Sequence, residues 1–252
     1  MKTPPIQAFF YPPAPDSSNR LFERDLTLIN TILRHRDRFL AEIGQGIDTG
    51  QKIRMMLVVS SVYMAGYGAL LGSTHGVWQT LSSAVKLPLL FLATLMICAP
   101  ALYIINVLFG LNQSLKQSLT LVLTAITTTA ILLLSFAPIT LFFILTLIDQ
   151  YQFFKLLNVL FFTIAAIVGA SFLKQGISVM SQPGQAESGR HGLAFFLWAV
   201  VYVFVGSQMA WTLRPFVGYP NAPFELFRQG GGNFYADILA SIGEILGFLI
   251  VR

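Results

Sequence analysis

Few side chains in this sequence are suited to catalysis or metal binding. The three histidines, His35, His75 and His191, lie far apart, and no cysteine or carboxylate is spaced to complete a zinc or iron site with them. The single cysteine, Cys98, falls in an apolar run, and a lone cysteine cannot form an intramolecular disulfide. The sequence therefore predicts no metal site and no cofactor.

Enzyme signatures are missing as well. The chain has no G-x-S-x-G elbow, no H-E-x-x-H helix and no Walker glycine loop. An intramembrane hydrolase would need a nucleophile and a general base at one depth, and the histidines fall in predicted tails and loops. We expect no catalytic residues and a protein that is not an enzyme.

Basic residues concentrate near the start of the chain. Of the sixteen Lys and Arg residues, eight lie between Lys2 and Arg54, just before or at the start of the first apolar segment. Anionic lipid is the nearest partner for such a cluster, so the net charge of +5 does not indicate nucleic acid. We expect three of these residues to bind lipid phosphates or a membrane-protein partner: Arg34, Arg36 and Arg38.

A second unusual stretch is WTLRPFVGYPNAPFELFRQGGGNFY, residues 211–235. Pro215 disfavours helical geometry at the residue before it, and the later prolines and glycines are typical of turns. The stretch predicts an ordered loop that caps helix ends, with Trp211 in an aromatic belt at the membrane interface. The alternative is a binding surface for a partner or solute, in which Arg214 and Arg228 take part.

The composition identifies the class of protein that carries these residues. Hydrophobic residues make up 55% of the 252-residue chain and charged residues only 11%, and the mean hydropathy is +0.68. Soluble domains have about 25% charged residues. The composition therefore predicts an integral membrane protein.

Five apolar segments approach or exceed the roughly 20 residues needed to cross a hydrocarbon core of about 30 Å. We predict them at about 55–72, 87–109, 117–148, 153–173 and 193–213. The third segment would reach about 48 Å as one straight helix. Pro138 is expected either to kink it or to divide it into two pieces.

The flanking regions have different patterns. Residues 1–20 are proline-rich and predict a flexible tail. Residues 21–54 predict a basic amphipathic helix whose apolar face comprises Phe22, Leu26, Ile29, Leu33, Leu40, Ile43 and Ile47. This helix would lie on the membrane surface or on its own bundle, or else dock a protein partner.

The C-terminal region, 214–252, predicts the ordered loop followed by an interfacial or re-entrant helix. The apolar stretch 236–251 is short for a crossing and contains Asp237 and Glu244, and a carboxylate is costly near the bilayer centre. The distribution of Lys and Arg then sets the orientation. A cytoplasmic N-terminus puts eleven of them inside and five outside, which favours N-in and C-out.

None of the five segments has an Asp, Glu, Lys, Arg or His residue in its middle, which argues against ion-coupled transport. Lys86 and Lys155 are at segment ends, from which they can extend to the membrane interface. A passive pore could still be lined by polar side chains, and the candidates are Asn106, Thr127, Thr128 and Thr129. In the alternative interpretation these groups bond to a neighbouring helix or to their own backbone.

Several stretches, among them HRDRFLAEIGQGIDTGQKI and VGSQMAWTLRPFVGYPNAPFELFR, carry a family resemblance. Over about Arg34 to Tyr235 the chain resembles uncharacterised multi-helix inner-membrane proteins of cyanobacteria and other bacteria. Some of these have an actin-binding label, but no basic LKKT-like element follows the amphipathic helix here. In topology the chain is also similar to Yip-type five-helix membrane proteins. The resemblance implies a bacterial inner membrane, or a thylakoid membrane in a cyanobacterium.

Together these observations predict an all-α polytopic membrane bundle of about five transmembrane helices, with an amphipathic helix on the N-terminal side and another on the C-terminal side. The expected function is non-enzymatic: organising or scaffolding membrane proteins or lipids. The alternative is a passive channel or small-solute transporter. The expected partners are anionic lipid headgroups or a membrane protein, and the sequence leaves the oligomeric state open.

Overall fold

The structure is a computed structural model, and it describes residues 30–108, 114–146, 151–180, 188–217, 224–227 and 232–245. Within these ranges every regular element is helical, which confirms the all-α class. After a helical turn at 30–34, the elements are α1 (Arg36–Gly44), α2 (Thr49–Gly72), a 3-10 turn (Ser73–His75), α3 (Val77–Leu108), α4 (Leu115–Ser135), α5 (Ala137–Thr146), α6 (Tyr151–Met180), α7 (Ser188–Leu213) and α8 (Phe234–Ile245).

Helices α2, α3, α4, α6 and α7 each contain a stretch long and apolar enough to cross a membrane, which confirms the predicted number of five. The second of these starts earlier than expected, because α3 begins at Val77 rather than at Leu87. The two starts differ because the sequence places Lys86 at the end of the apolar segment. In the structure Lys86 lies within the helix and is buried.

The long third segment is divided into two helices. Helix α4 ends at Ser135, and α5 begins at Ala137 with Pro138 as its second residue. Proline fits there because the first turn of a helix has no internal acceptor for its N–H group. At the other end of α4, the Ser114 hydroxyl accepts a hydrogen bond from the Gln117 backbone N–H at 3.2 Å, which starts the helix with a capping box.

Helix α4 is the centre of the bundle: 72% of its most apolar 18-residue stretch is buried, against 11% of the corresponding stretch of α7. Close contacts between the long helices depend on glycine. A Cβ atom added at Gly68 of α2 would lie 2.4 Å from the Ser83 carbonyl oxygen of α3. One added at Gly169 of α6 would lie 2.4 Å from the Thr129 hydroxyl of α4. Larger residues at these two positions would force the helices apart.

The contacts define two ends of the bundle. At the α1 end, the Gln117 side chain near the start of α4 donates to the carbonyl of Gly44, the last residue of α1. At the α8 end, Lys155 near the start of α6 pairs with Asp237 of α8. Helices α1 and α8 therefore flank opposite ends of the same bundle.

The predicted apolar face of the N-terminal helix was wrong in part. Leu33 and Ile47 are each 44% exposed, although the helical period had assigned them to that face. The reason is local: the helix is interrupted at His35 and ends at Gly44, so a single helical phase does not run through this segment. The buried apolar residues are Ile32, Phe39, Leu40 and Ile43. The predicted tail and residues 21–29 lie outside the described ranges.

Candidate functional site

Two described stretches between α7 and α8, residues 214–217 and 224–227, contact α3. We call these two stretches the capping loop. The α3 side chains that meet it are Gln79, Ser83 and Lys86, all of them buried. Their spacing of four and three residues puts them on one face of the helix. One helical face therefore provides the donors that hold the loop.

Two of these side chains bind backbone carbonyls directly after α7. The Gln79 side-chain amide donates to the Pro215 carbonyl at 3.0 Å and to the Ser83 hydroxyl at 3.2 Å. The Ser83 hydroxyl in turn donates to the Phe216 carbonyl at 2.6 Å. Since a buried carbonyl without a donor is costly, these bonds favour the observed loop position.

Lys86 is the charged member of this set, and the residue is only 3% exposed. Its Nζ donates to the carbonyls of Pro215, at 3.3 Å, and of Leu226, and lies 5.0 Å from the centroid of the Phe227 ring. The sequence predicts that Lys86 extends to the membrane interface, whereas the structure buries it. The capping loop covers the ammonium group and supplies dipoles in place of water.

Arg214 begins the capping loop and stacks on the end of α7. Its guanidinium carbon lies 3.3 Å from the centroid of the Trp211 ring, a cation–π geometry. The turn before α8 also approaches this ring: Gly232 has φ 101°, and a Cβ there would lie 3.7 Å from it. Trp211 is thus half-buried between the two segments. Arg228, the other arginine predicted in this loop, lies outside the described residues.

The predicted lipid-binding arginines lie at the opposite end of the bundle. Arg34, Arg36 and Arg38 are all exposed, and we call them the arginine surface. Arg38 forms an exposed ion pair with Glu42, with Nε 3.2 Å from Oε1. The structure thus presents these three cations on the outer side of α1 and the preceding helical turn.

Lys52 of α2 fixes the position of α1. Its Nζ donates to Glu42 Oε2 at 3.0 Å and to the Ile47 carbonyl at 3.1 Å, and lies 5.3 Å from the Phe39 ring centroid. The hydrogen bond from Lys52 is the main reason that the pKa of Glu42 is lowered from its usual range.

Two further side chains tie α1 to the bundle. Gln117 of α4 donates to the Gly44 carbonyl at 2.7 Å, and Gln175 of α6 donates to Asp37 Oδ1 at 2.9 Å. These contacts engage both ends of α1, while its apolar side chains fill the space between. Helix α1 therefore has a defined orientation on the bundle.

The hydroxyl groups proposed to line a pore are buried in α4. Thr127, Thr128 and Thr129 donate to the carbonyls four residues earlier at 2.7, 2.9 and 2.9 Å. Thr129 also lies 3.3 Å from the Ala165 carbonyl of α6. These bonds agree with the alternative to a pore lining, in which the threonine hydroxyls bond to their own or a neighbouring helix. The side chain of Asn106 lies outside the described residues.

A buried polar cluster joins three helices. The Tyr67 hydroxyl of α2 donates to Asn158 Oδ1 of α6 at 2.8 Å and lies 3.1 Å from the Thr140 hydroxyl of α5. The Asn158 amide donates to the Phe154 carbonyl at 2.8 Å. Because their polar groups satisfy one another, the cluster fixes α5 and α6 against α2.

Sequence reasoning missed both polar sets for different reasons. The spacing of Gln79, Ser83 and Lys86 was visible, but the predicted helix began after all three. Tyr67 and Asn158 are 91 positions apart in the chain, and no local pattern links them. Only the fold brings the second set together.

The described residues show no arrangement typical of a metal centre: no three His, Cys, Asp or Glu side chains among them form a group that could hold an ion. No family model, curated protein or solved structure matches the chain. The function is therefore inferred from the positions of α1 and α8 at the two ends of the bundle and from the contacts that hold these helices.

Proposed function

We propose that this protein crosses a membrane five times and acts as a non-enzymatic organiser of membrane lipids, binding anionic headgroups through the arginine surface. The observation that carries the proposal is the fixed position of α1. Its apolar side chains are buried against the bundle, while Arg34, Arg36 and Arg38 are exposed on its outer side.

The outer surfaces of the long helices support a membrane environment. Large apolar side chains are exposed along α3 and α7, among them Met96, Ile104, Val203 and Phe204. Soluble monomers rarely expose contiguous apolar surfaces of this extent, whereas lipid chains would cover them.

The two ends also support an orientation with the N-terminus in the cytoplasm. The α1 end, where α4 begins and α6 ends, has Lys116, Lys174 and five further basic residues: Arg34, Arg36, Arg38, Lys52 and Arg54. Lys86, Lys155 and Arg214 are at the α8 end. Lys and Arg residues prefer the cytoplasmic side, so the richer α1 end is assigned to it.

Binding of anionic lipid by this surface follows from its geometry. Ion pairing with a phosphate costs less when the backbone that carries the cations is already fixed. Lys52, Gln117 and Gln175 provide that fixation for α1. The attraction of exposed cations for anionic headgroups is screened by salt, so binding should weaken as ionic strength rises.

The test uses the full-length protein purified in mild detergent, with bound lipids identified by native mass spectrometry. Replacing all three arginines by Gln should reduce the anionic lipid that remains bound, while replacing all three by Lys should largely retain it. Equal anionic lipid in the Gln variant and the unchanged protein would overturn the proposal. A periplasmic reporter fused to the C-terminus tests the orientation separately and should be active.

A passive channel has less support, because the hydroxyls of Thr127, Thr128 and Thr129 are already bonded to backbone carbonyls. This alternative predicts flux of ions or small solutes through liposomes that contain the protein. Flux no greater than through empty liposomes would exclude it.

A further inference from the structure

The outer side of helix α8 is apolar. Tyr235, Leu239 and Ile242 are exposed, and Leu239 is 69% exposed. Ser241 is buried, Phe234 and Ile238 are half-buried, and Asp237 is turned towards the bundle. A helix on a water-exposed surface normally has charged and polar residues on its outer side.

Polar contacts with α6 and α7 hold α8 in this orientation. Lys155 Nζ of α6 lies 3.0 Å from Asp237 Oδ2, and the Ser207 hydroxyl of α7 lies 2.9 Å from the Tyr235 hydroxyl. The Ser241 hydroxyl donates to the Asp237 carbonyl at 2.7 Å. These polar groups of α8 are therefore satisfied by the bundle and by α8 itself, while Leu239 and Ile242 are left outside.

The same contacts give the depth of α8 relative to the helix ends. Ser207 precedes Leu213, the last residue of α7, by six positions, or about 9 Å at a rise of about 1.5 Å per residue. Lys155 follows Tyr151, the first residue of α6, by four positions, or about 6 Å on the same rise. Helix α8 thus lies beside the ends of α6 and α7 rather than above them.

The neighbouring surfaces are also apolar. Phe224, Leu226 and Phe227 of the capping loop are exposed, as are Val203 and Phe204 on α7. The described part of α8 has no Lys or Arg, so it offers no cation for an acidic partner. The exposed face of α8 therefore matches the lipid-facing sides of the long helices, and acyl chains are the occupant that fits it.

We propose that α8 and residues 224–227 are inserted into one leaflet at the boundary between headgroups and acyl chains, with Tyr235, Leu239 and Ile242 in contact with acyl chains. The inference rests on the proposed membrane-spanning arrangement. Interfacial helices bury their apolar face about 5–10 Å into this boundary, which agrees with the depth of α8. Because the exposed side chains on this face of α8 are uncharged, its insertion should not depend on lipid charge.

The test measures depth in the full-length protein, reconstituted in neutral and in anionic liposomes. In a background with the buried Cys98 replaced by Ala, a fluorophore is attached to Leu239→Cys or, in a second variant, to Ile242→Cys. Quenchers are placed in water, near the headgroups or near the chain ends. Val203→Cys, on α7 far from its end, is the control for the bilayer interior, and Gln45→Cys, in the exposed turn after α1, is the control for water.

Insertion predicts that shallow lipid quenchers act most strongly on the labels at 239 and 242, with little effect of lipid charge. Aqueous quenching equal to that at position 45 would overturn the proposal and indicate a water-exposed lid. Protection from all quenchers would also overturn it and indicate a protein contact. If the label at 203 is quenched from water as well, the membrane-spanning arrangement itself fails, so the two failures are distinguishable.

Discussion

The helices at the two ends of the bundle are attached in opposite ways. Helix α1 buries Phe39, Leu40 and Ile43 against the long helices and leaves its arginines outside. Helix α8 turns Asp237 towards the bundle and leaves Leu239 outside. Two short helices, one at each end of the bundle, therefore present surfaces of opposite character.

The difference follows from what the bundle offers at each end. A Cβ added at Gly176 of α6 would lie within 3.1 Å of Leu40 and 2.5 Å of Leu121, so α1 packs on an apolar surface. At the other end, Lys155 and Ser207 offer charged and polar groups to α8. The bundle surface that each helix contacts thus determines which side of the helix faces inward. The character of the opposite, outer side indicates the environment of the helix. By our proposals, the outer side of α1 faces water and headgroups, and the outer side of α8 faces acyl chains.

The largest predicted effect is on the apolar attachment of α1. Replacing the buried Phe39 by Ala should weaken the attachment by about 3–5 kcal/mol, because a large side chain is lost from a packed site. Lys52 would also lose the ring below its ammonium group. Amide hydrogen exchange in α1 should accelerate strongly, while exchange in α8 stays unchanged.

The matched control for this change is Leu33→Ala. Leu33 is exposed, so its truncation should leave exchange in α1 nearly unchanged. Equal acceleration by both substitutions would contradict the packing described here, because it would mean that exposed and buried positions contribute alike.

The next effect concerns the polar attachment of the capping loop. Lys86→Met keeps a long side chain but removes the donor to Pro215 and Leu226. We expect the free energy that holds the capping loop against α3 to fall by about 1–3 kcal/mol, the usual effect of leaving a buried polar group without its partner. Limited proteolysis within 214–227 should become faster. Lys116→Met, which changes an exposed lysine at the other end, should not alter it.

These two attachments differ in how far the sequence predicts them. Apolar composition and segment length were sufficient for the helical class and the five long helices, because crossing a membrane imposes a length and a composition. The inner face of α1 was predicted only in part, since the break at His35 depends on local backbone conformation. The partners of Lys86 and Lys155 could not be predicted, because they are distant in the chain and meet only in the packed bundle.

A smaller effect is expected for the ion pair that holds α8. The side chains of Lys155 and Asp237 are 20% and 38% exposed, so solvent screens their attraction. A double-mutant cycle with Lys155→Ala and Asp237→Ala should give a coupling of about 0.2–1 kcal/mol. Hydrogen exchange in α8 is the measurement. A coupling of zero would mean that the polar contact does not select the inner side of α8.

The smallest effect is a pH dependence confined to the α1 end. The hydrogen bond from Lys52 holds the pKa of Glu42 below its ordinary value of 4.5, so the folded state binds this proton less tightly than the unfolded state. The stabilisation is therefore fully present above pH 4.5 and is lost as the pH falls through the lowered pKa. Hydrogen exchange in α1, compared at each pH with the Glu42→Gln variant, should show an advantage of the unchanged protein that disappears in acid. Helix α8 should show no such difference between the two proteins. An advantage that persists in acid would mean that packing, and not the Glu42–Lys52 contact, is the source of the difference at this end.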